Sequence, residues 1–337
     1  MSYDAKPVYF YDPAASTSQL KEAILSFQKT WLIKHSSADD LNLYHYTTLE
    51  GLKGILNSRS IWFTHVSALN DPLELKYGET IILKILNDFI KTEKNDTIKH
   101  ILDDISIYIK SFNSNNYQTY VACFCESENL LSQWRAYGFR GGGFNLGLRF
   151  KTDTKFYHSK VDKEESHIIL RKIIYDIEEQ YKLVSDYLSI IVKSATVALN
   201  EFTKNNSIPL AWSSIAAIES VNLLIDLMLT FKNPAFKEEA EWRLIKGRQT
   251  NIKPEHLEFR ESIDGLIPYI NTYIQEEIKG NFIFPLNSIK FGPTLDEVRT
   301  QSSIHLFLNK EAASDETIKI NANDINITGA GYVLRNN

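Results

Sequence analysis

His45 lies in a run of polar and aromatic residues that can contribute to a ligand pocket. The run, from Tyr44 to Thr47, stands directly before a predicted helix that continues through Leu56. Thr47 and Glu50 have the spacing of a capping box, in which a hydroxyl and a carboxylate satisfy the first free amides of a helix. Those amides and the positive end of the helix dipole favour a phosphate or another anion. We therefore expect a pocket floor at this junction, although a buried histidine that hydrogen-bonds there gives the same pattern.

A second polar segment, from Leu69 to Glu74, contains the sequence Asn-Asp-Pro. Asn70 and Asp71 can form the lip of the same pocket and contact a bound ligand. The segment is also typical of a helix start, because aspartate is a good N-cap and proline fits the first helical position. The two interpretations are compatible.

Glu241 and Arg243 stand at the start of a predicted buried strand. Alternate residues of a strand face the same side, so these two side chains share a face. Either the carboxylate acts in a site where the guanidinium binds a ligand, or the two groups form a buried structural pair. The sequence leaves both interpretations open.

Trp134 and Tyr137 are spaced three residues apart on a helix predicted from Leu130 to Tyr137. This spacing places both rings on one side of the helix. The rings can provide a surface for stacking on a ligand, but the same spacing is typical of a packed core.

The composition indicates an ordinary soluble protein. The chain has 337 residues, 43% of them hydrophobic, and a formal net charge of -5, which argues against broad nonspecific coating of DNA. The start lacks a basic segment followed by an apolar one, and no run approaches about 18 apolar residues, so we expect a cytoplasmic protein without a membrane span. Cys123 and Cys125 are the two cysteines, so no disulfide framework is expected. The histidine spacing predicts no metal site, and no phosphate-binding glycine loop is recognisable.

Mixed helix and strand patterns predict an α/β chain of the α+β type. Strand signals occur at residues 61–64, 120–124, 144–150, 242–245, 282–284 and 289–291. Helix signals cover about 73–92, 97–112, 130–137 and 295–309. Apolar periodicity predicts a helical insertion at about 164–232, with a break near 205–209. We expect a polar N-terminal lead, residues 1–42, and one composite domain, residues 43–337, that contains the insertion.

An ordered set of short motifs resembles the bacterial DUF2971 family. The set comprises Tyr44–Thr47, Leu69–Glu74, Cys123–Cys125, Ser132–Gly138, Gly147–Phe150, Glu239–Ile245 and Ile289–Pro293. It spans about residues 43 to 335, and the order of the motifs carries the resemblance. The family name itself assigns no reaction.

More distantly, the chain resembles ADP-ribosyltransferases. In that family a histidine followed by a small hydroxylated residue stands on the first strand, and a glutamate opens a later strand; His45, Thr47 and Glu241 match this order. The resemblance implies a central split mixed sheet with a site for NAD. The histidine would bind the nicotinamide-side ribose, and the glutamate would hold that ribose while the glycosidic bond breaks. Tyr46, Trp62 or Trp134 would stack on the nicotinamide.

The same resemblance implies that the chain transfers ADP-ribose from NAD to an unknown acceptor, a protein or a nucleic acid, or hydrolyses NAD, with a role in bacterial defence or toxin biology. His45 and Glu241 are then the catalytic residues. The residues expected to bind NAD are Tyr46, Thr47, Asn70, Asp71, Trp134, Tyr137 and Arg243. Positive charge develops on the ribose as nicotinamide leaves, so a fixed carboxylate stabilises the transition state more than the ground state. The alternatives are a noncatalytic module that binds a nucleotide or nucleic acid, and a buried network that supports an interaction surface.

Overall fold

The computed structural model describes most of the chain. The described residues are 13–36, 40–69, 73–112, 119–137, 141–151, 153–157, 168–204, 212–246, 253–262, 265–314 and 316–332. They form two compact units, each assembled from separate stretches of sequence. The first unit combines Met1–Lys34, Leu73–Asn116 and Ile174–Lys232, and the second combines His35–Pro72, Tyr117–Ile173 and Asn233–Asn337.

Helices and strands are mixed along the chain. The α-helices are α1 (Pro13–Ser36), α2 (Leu49–Ser58), α3 (Glu74–Thr92), α4 (Asp96–Ser111), α5 (Leu131–Ala136), α6 (Ile177–Lys204), α7 (Trp212–Thr230) and α8 (Glu297–Ala312). The strands are β1 (Asp40–Thr47), β2 (Ser60–His65), β3 (Tyr120–Cys125), β4 (Phe144–Lys151), β5 (Lys155–Tyr157), β6 (Ile168–Lys172), β7 (Glu241–Lys246), β8 (Leu257–Ser262), β9 (Gly265–Ile278), β10 (Asn281–Ile283), β11 (Leu286–Phe291), β12 (Ile318–Lys319) and β13 (Asn326–Gly329).

Helix α7 is the central helix of the first unit. It contacts α3, α4 and α6. Gly78 of α3 approaches it so closely that an added Cβ would lie 2.5 Å from the carbonyl oxygen of Met228. By length and composition alone α7 is also apolar enough to cross a membrane, with a mean hydropathy of 1.4 over a stretch that is 61% buried. The sequence analysis did not identify α7 as a possible membrane span, because serine, glutamate and aspartate interrupt its apolar residues. The core helix of a soluble protein meets the same criteria of length and hydropathy.

The second unit is built on a mixed β-sheet. Its main path has the strand order β12-β10-β9-β2-β3-β1-β4-β11-β13, and β5, β6, β7 and β8 pair beside this path. The β10–β12 and β11–β13 ladders are parallel, whereas the ladders around β3 are antiparallel. The predicted α/β class with a mixed sheet is confirmed.

One face of the sheet carries the main apolar core of this unit. Alternate residues of the central strands, such as Leu43 and Phe124, are buried there. Helices α2 and α8 contribute to the same core, through residues that include Leu56 and Leu308. A smaller apolar cluster, which includes Trp134, is separate from it.

Most predicted elements are present with small shifts of their ends. The predicted strands fall on β2, β3, β4, β7, β10 and β11, and the predicted helices on α3, α4, α5 and α8. The helical stretch predicted at 164–232 supplies α6 and α7 to the first unit, where α3 and α4 join them.

Two local predictions are wrong. The N-cap of α2 is Thr48 rather than Thr47, because Thr47 still belongs to β1; the Thr48 hydroxyl accepts the Gly51 N–H at 3.2 Å. Residues 168–172 form strand β6 rather than helix, since their β-branched and apolar side chains pair with β7. The helix starts only at Ile177.

Candidate functional site

The sheet splits beside β3. Along one edge, β3 pairs with β7 through six registered residue pairs. The other edge is shared, because β2 pairs with the first two residues of β3 and β1 pairs with the last residue, Cys125. Among the described residues, no strand pairs with this edge from Ala122 to Phe124. A gap therefore opens between the diverging strands β1 and β2.

His45 fills part of this gap. Its ring Nδ1 lies 3.0 Å from the carbonyl oxygen of Cys123, on the open edge of β3. A carbonyl only accepts hydrogen bonds, so Nδ1 carries the proton and donates it. Burial lowers the pKa of His45, and the hydrogen bond to Cys123 opposes this only in part, so the ring is neutral at pH 7. Nε2 is then an unprotonated acceptor that bonds to no described residue, on a ring that is only half-buried.

Thr47 lies on the same side of β1 as His45, because the two residues are separated by one position. Its hydroxyl packs directly on the first turn of α2. A Cβ added to Gly51 would lie 1.9 Å from Thr47 Oγ1, so the close approach of helix and strand requires glycine. The structure thus brings together the histidine and the hydroxylated residue that the sequence paired.

Tyr46 and Trp134 are enclosed by protein rather than open to a ligand. They are 7% and 0% exposed, and their rings meet edge to face with centroids 4.9 Å apart. The Tyr46 hydroxyl donates to the Ser127 carbonyl at 2.9 Å and accepts the Leu130 N–H at 2.8 Å, while Trp134 Nε1 donates to Asn129 Oδ1 at 2.9 Å. Burial raises the pKa of Tyr46. The two rings therefore hold the loop after β3, and the predicted open stacking surface is not present at either of them.

Glu241 and Arg243 form a buried ion pair within β7. Arg243 Nε donates to Glu241 Oε1 at 2.6 Å, and Nη2 donates to Oε2 at 3.0 Å. The residues are 5% and 1% exposed. Two parallel bonds match the guanidinium fork to both carboxylate oxygens. Arg171 on β6 is the cross-strand partner of Arg243 and is equally buried.

His45 and Glu241 lie on opposite faces of the sheet. The ring of His45 is 5.6 Å from that of Phe124, which belongs to the main core. Glu241 is the cross-strand partner of Cys125, which belongs to the smaller cluster with Tyr46. Residues directly opposite one another on neighbouring strands share a face. The structure therefore does not bring the two predicted catalytic residues together.

Of the remaining predicted ligand-binding residues, the structure describes Tyr137 but not Asn70 and Asp71. Tyr137 follows α5 as its C-cap and is 36% exposed, so its ring can meet a ligand. Asn70 and Asp71 lie outside the described residues. Within the part of the chain that is described, no group of three or more histidine, cysteine, aspartate or glutamate side chains is placed to hold a metal ion.

Sequence reasoning missed the contributions of Cys123 and Arg171. Cys123 acts through its backbone carbonyl, which no side-chain motif reveals. The sequence prediction assigned Arg171 to a helix. The apolar run before it is also a strand signal, and an assignment to strand would have placed Arg171 correctly. The thiol of Cys125 has no such role, because burial raises its pKa to about 11 and keeps it protonated.

Comparison with known proteins gives one match. Residues 133–244, about one third of the chain, match the family described as "Protein of unknown function (DUF2971)". The matched region contains Trp134, Tyr137, Glu241 and Arg243, whereas His45 lies before it. Searches of curated proteins and of solved structures returned no match. The expected similarity to DUF2971 is thus confirmed over residues 133–244.

Proposed function

We propose that this chain binds NAD with the nicotinamide-side ribose at the gap beside β3, and that it acts as an ADP-ribosyltransferase or an NAD glycohydrolase. In either reaction the bond from the ribose to nicotinamide breaks, nicotinamide leaves with the bonding electrons, and an acceptor group or water attacks the ribose carbon and gives up its proton. The acceptor is a protein, a nucleic acid or water.

The contact of His45 Nδ1 with the Cys123 carbonyl oxygen at 3.0 Å is the observation that carries this proposal. The Nδ1 proton of His45 is committed to the Cys123 carbonyl, so Nε2 offers a lone pair on a half-buried ring. A ribose hydroxyl can donate to this nitrogen, whereas a fully ionised phosphate has no proton to donate. The geometry therefore favours a sugar over the phosphate that the helix start alone suggested.

The placement of Glu241 favours a second candidate, a module that binds the nucleotide without cleaving it. Both carboxylate oxygens are engaged by Arg243, and the residue lies on the face of the sheet opposite His45. A carboxylate that stabilises the ribose cation must lie close to the ribose in the transition state. With NAD held at His45, catalysis by Glu241 would require this part of the sheet to rearrange.

Two substitutions of His45 test the binding mode. In His45→Asn the side-chain amide can reach the position of Nδ1 and keep the bond to Cys123, but it provides nothing at Nε2. In His45→Gln the amide reaches the position of Nε2 and offers a carbonyl acceptor there. By calorimetry, we expect His45→Asn to bind NAD roughly 5- to 100-fold more weakly, as for a lost hydrogen bond of about 1–3 kcal/mol. His45→Gln should retain more of the affinity; equal binding by wild type and both variants would refute the mode.

Nicotinamide release separates the two candidates. Purified wild type and a folded Glu241→Gln variant are incubated with NAD, with and without cell extract and nucleic acid. Release by wild type but not by the variant, with NAD binding intact in both, supports a catalytic Glu241. Binding of NAD without release under every condition supports the noncatalytic module.

A further inference from the structure

Trp62 is the exposed member of the five tryptophans. It is 44% exposed, whereas Trp31, Trp134, Trp212 and Trp242 are each 6% exposed or less. A large apolar ring on the open face of a sheet contributes little to the core. Its exposed ring is available for contact with another molecule.

Trp62 stands on a small platform formed by β2, β8 and β9. Its ring lies 4.5 Å from that of Tyr269, with 33° between the two planes. The guanidinium carbon of Arg260 lies 5.9 Å from the centre of the Trp62 ring. The strand register places these residues together, because Tyr269 pairs with Thr64 on β2 and with Glu258 on β8. Two aromatic rings and one cation thus share one face of the sheet.

Arg260 carries a positive charge that no described residue neutralises by direct contact. Among the described residues it forms no ion pair, and its Nε has no hydrogen-bond partner. Glu258 precedes it by two residues and shares its face, so the local field is not broadly positive. Such a surface suits contact with one or two phosphates rather than with a long polyanion.

We propose that this platform binds a short stretch of single-stranded nucleic acid, with one base stacked on Trp62 and the adjoining phosphate on Arg260. Aromatic side chains stack on unpaired bases with little dependence on base identity, because every base has a π-face. A duplex keeps its bases stacked on one another and cannot offer a free ring face in the same way. The formal charge of -5 is consistent with local stacking in place of electrostatic wrapping. The proposal is independent of NAD binding at His45.

Tryptophan fluorescence tests the proposal directly, because Trp62 is the solvent-exposed reporter. Wild type is titrated with thymidine and uridine oligomers of about six nucleotides, within the range of known single-strand site sizes. Thymidine monophosphate and a duplex of the same length serve as comparisons. We expect the single strands to quench the exposed emission, and the monophosphate and the duplex to bind at least tenfold more weakly. Absence of quenching by any single strand would overturn the proposal, as would equal binding of the duplex or the monophosphate.

Variants then assign the contacts, using the anisotropy of a labelled oligomer. Trp62→Leu should weaken binding roughly 5- to 150-fold, the equivalent of one stacked base. Arg260→Gln should flatten the dependence of log affinity on log salt by about 0.7, the effect of one phosphate contact with a single strand. Phe236→Leu, which alters another exposed aromatic residue, is the matched control and should bind as wild type does. If Trp62→Leu is folded by circular dichroism and binds like the control, the base does not stack there.

Discussion

Removal of the Glu241 carboxylate should destabilise the second unit even if the residue has no catalytic role. Arg243 is 1% exposed and donates two hydrogen bonds to this carboxylate, so Glu241→Gln removes the negative charge that these two bonds hold against a buried guanidinium. Breaking a buried pair from one side costs about 3–5 kcal/mol. Replacing both partners by apolar residues of similar size, as in Glu241→Leu with Arg243→Met, is often nearly neutral. The double variant should therefore be clearly more stable than either single variant.

The thiol of Cys125 gives a local readout of this effect. It is 2% exposed and lies opposite Glu241 on the neighbouring strand, so it reacts only when this part of the sheet opens. In a Cys123→Ser background, the rate of thiol labelling is followed at increasing urea concentration for wild type, Glu241→Leu, Arg243→Met and the double variant, and separately for Glu241→Gln. A shift of about 3 kcal/mol in opening free energy corresponds to labelling that is faster by roughly two orders of magnitude.

Whether the free-energy changes of the two single substitutions add up in the double variant shows whether the residues are coupled. If the two single variants each lose less than about 1 kcal/mol and the double variant loses their sum, the residues are not coupled and the buried-pair interpretation fails. If Glu241→Gln keeps its opening free energy but loses nicotinamide release, the carboxylate acts on a ligand. The cycle and the Glu241→Gln variant together thus test the structural and the functional interpretation of one residue.

Two further predictions concern His45 and a helix crossing. The pKa of His45 is lowered in the folded state from the ordinary value of 6.5, so the unfolded chain binds more protons and the His45 contribution to stability falls as the pH drops below about 6.5. In urea titrations between pH 7 and pH 5, the free energy of unfolding of His45→Asn should therefore fall less steeply with pH than that of wild type. An equally steep fall in both proteins would contradict the neutral ring. Gly78→Ala should destabilise the first unit by about 1–3 kcal/mol, because the backbone oxygen of Met228 at 2.5 Å cannot rotate away. Gly54→Ala, with nothing within 4 Å, should instead stabilise its helix by about 0.5–1 kcal/mol. Thermal denaturation measures the stability of both glycine variants, and equal effects would refute the close approach of α3 to α7.

The sequence predicted elements well where local periodicity determines them. Helices α3 and α4 and strands β3 and β4 were placed within a few residues, because each has a clear apolar pattern. Strands β8 and β9 were missed, although Asp264-Gly265 between two β-rich runs is a hairpin signal. The predicted helix wrongly included β6, since a short run of isoleucine and leucine fits the periodicity of a helix as well as that of a strand.

The candidate site was harder to predict, because it depends on pairing between distant strands. The sequence shows that Glu241 and Arg243 share a face, and that His45 and Thr47 share another. It does not show which face of β1 continues into which face of β7, since this depends on the register of β3 between them. A shift of one residue in the pairing of these strands would decide whether His45 and Glu241 lie on the same face of the sheet or on opposite faces.

The position of β3 between β1 and β7 also has a consequence for how this chain folds. The pair Tyr44↔Cys125 joins residues 81 positions apart, and the pair Cys125↔Glu241 joins residues 116 positions apart. Segments Leu73–Asn116 and Ile174–Lys232, which lie within these intervals, belong to the helical unit. During synthesis, β1, β2 and β3 therefore emerge well before β7, while helices with local contacts can form at once. We expect the edge of β3 that pairs with β7 to remain unpaired longest, which makes the pairing of β3 with β7 the slow step of folding and that edge the point of greatest exposure to chaperones.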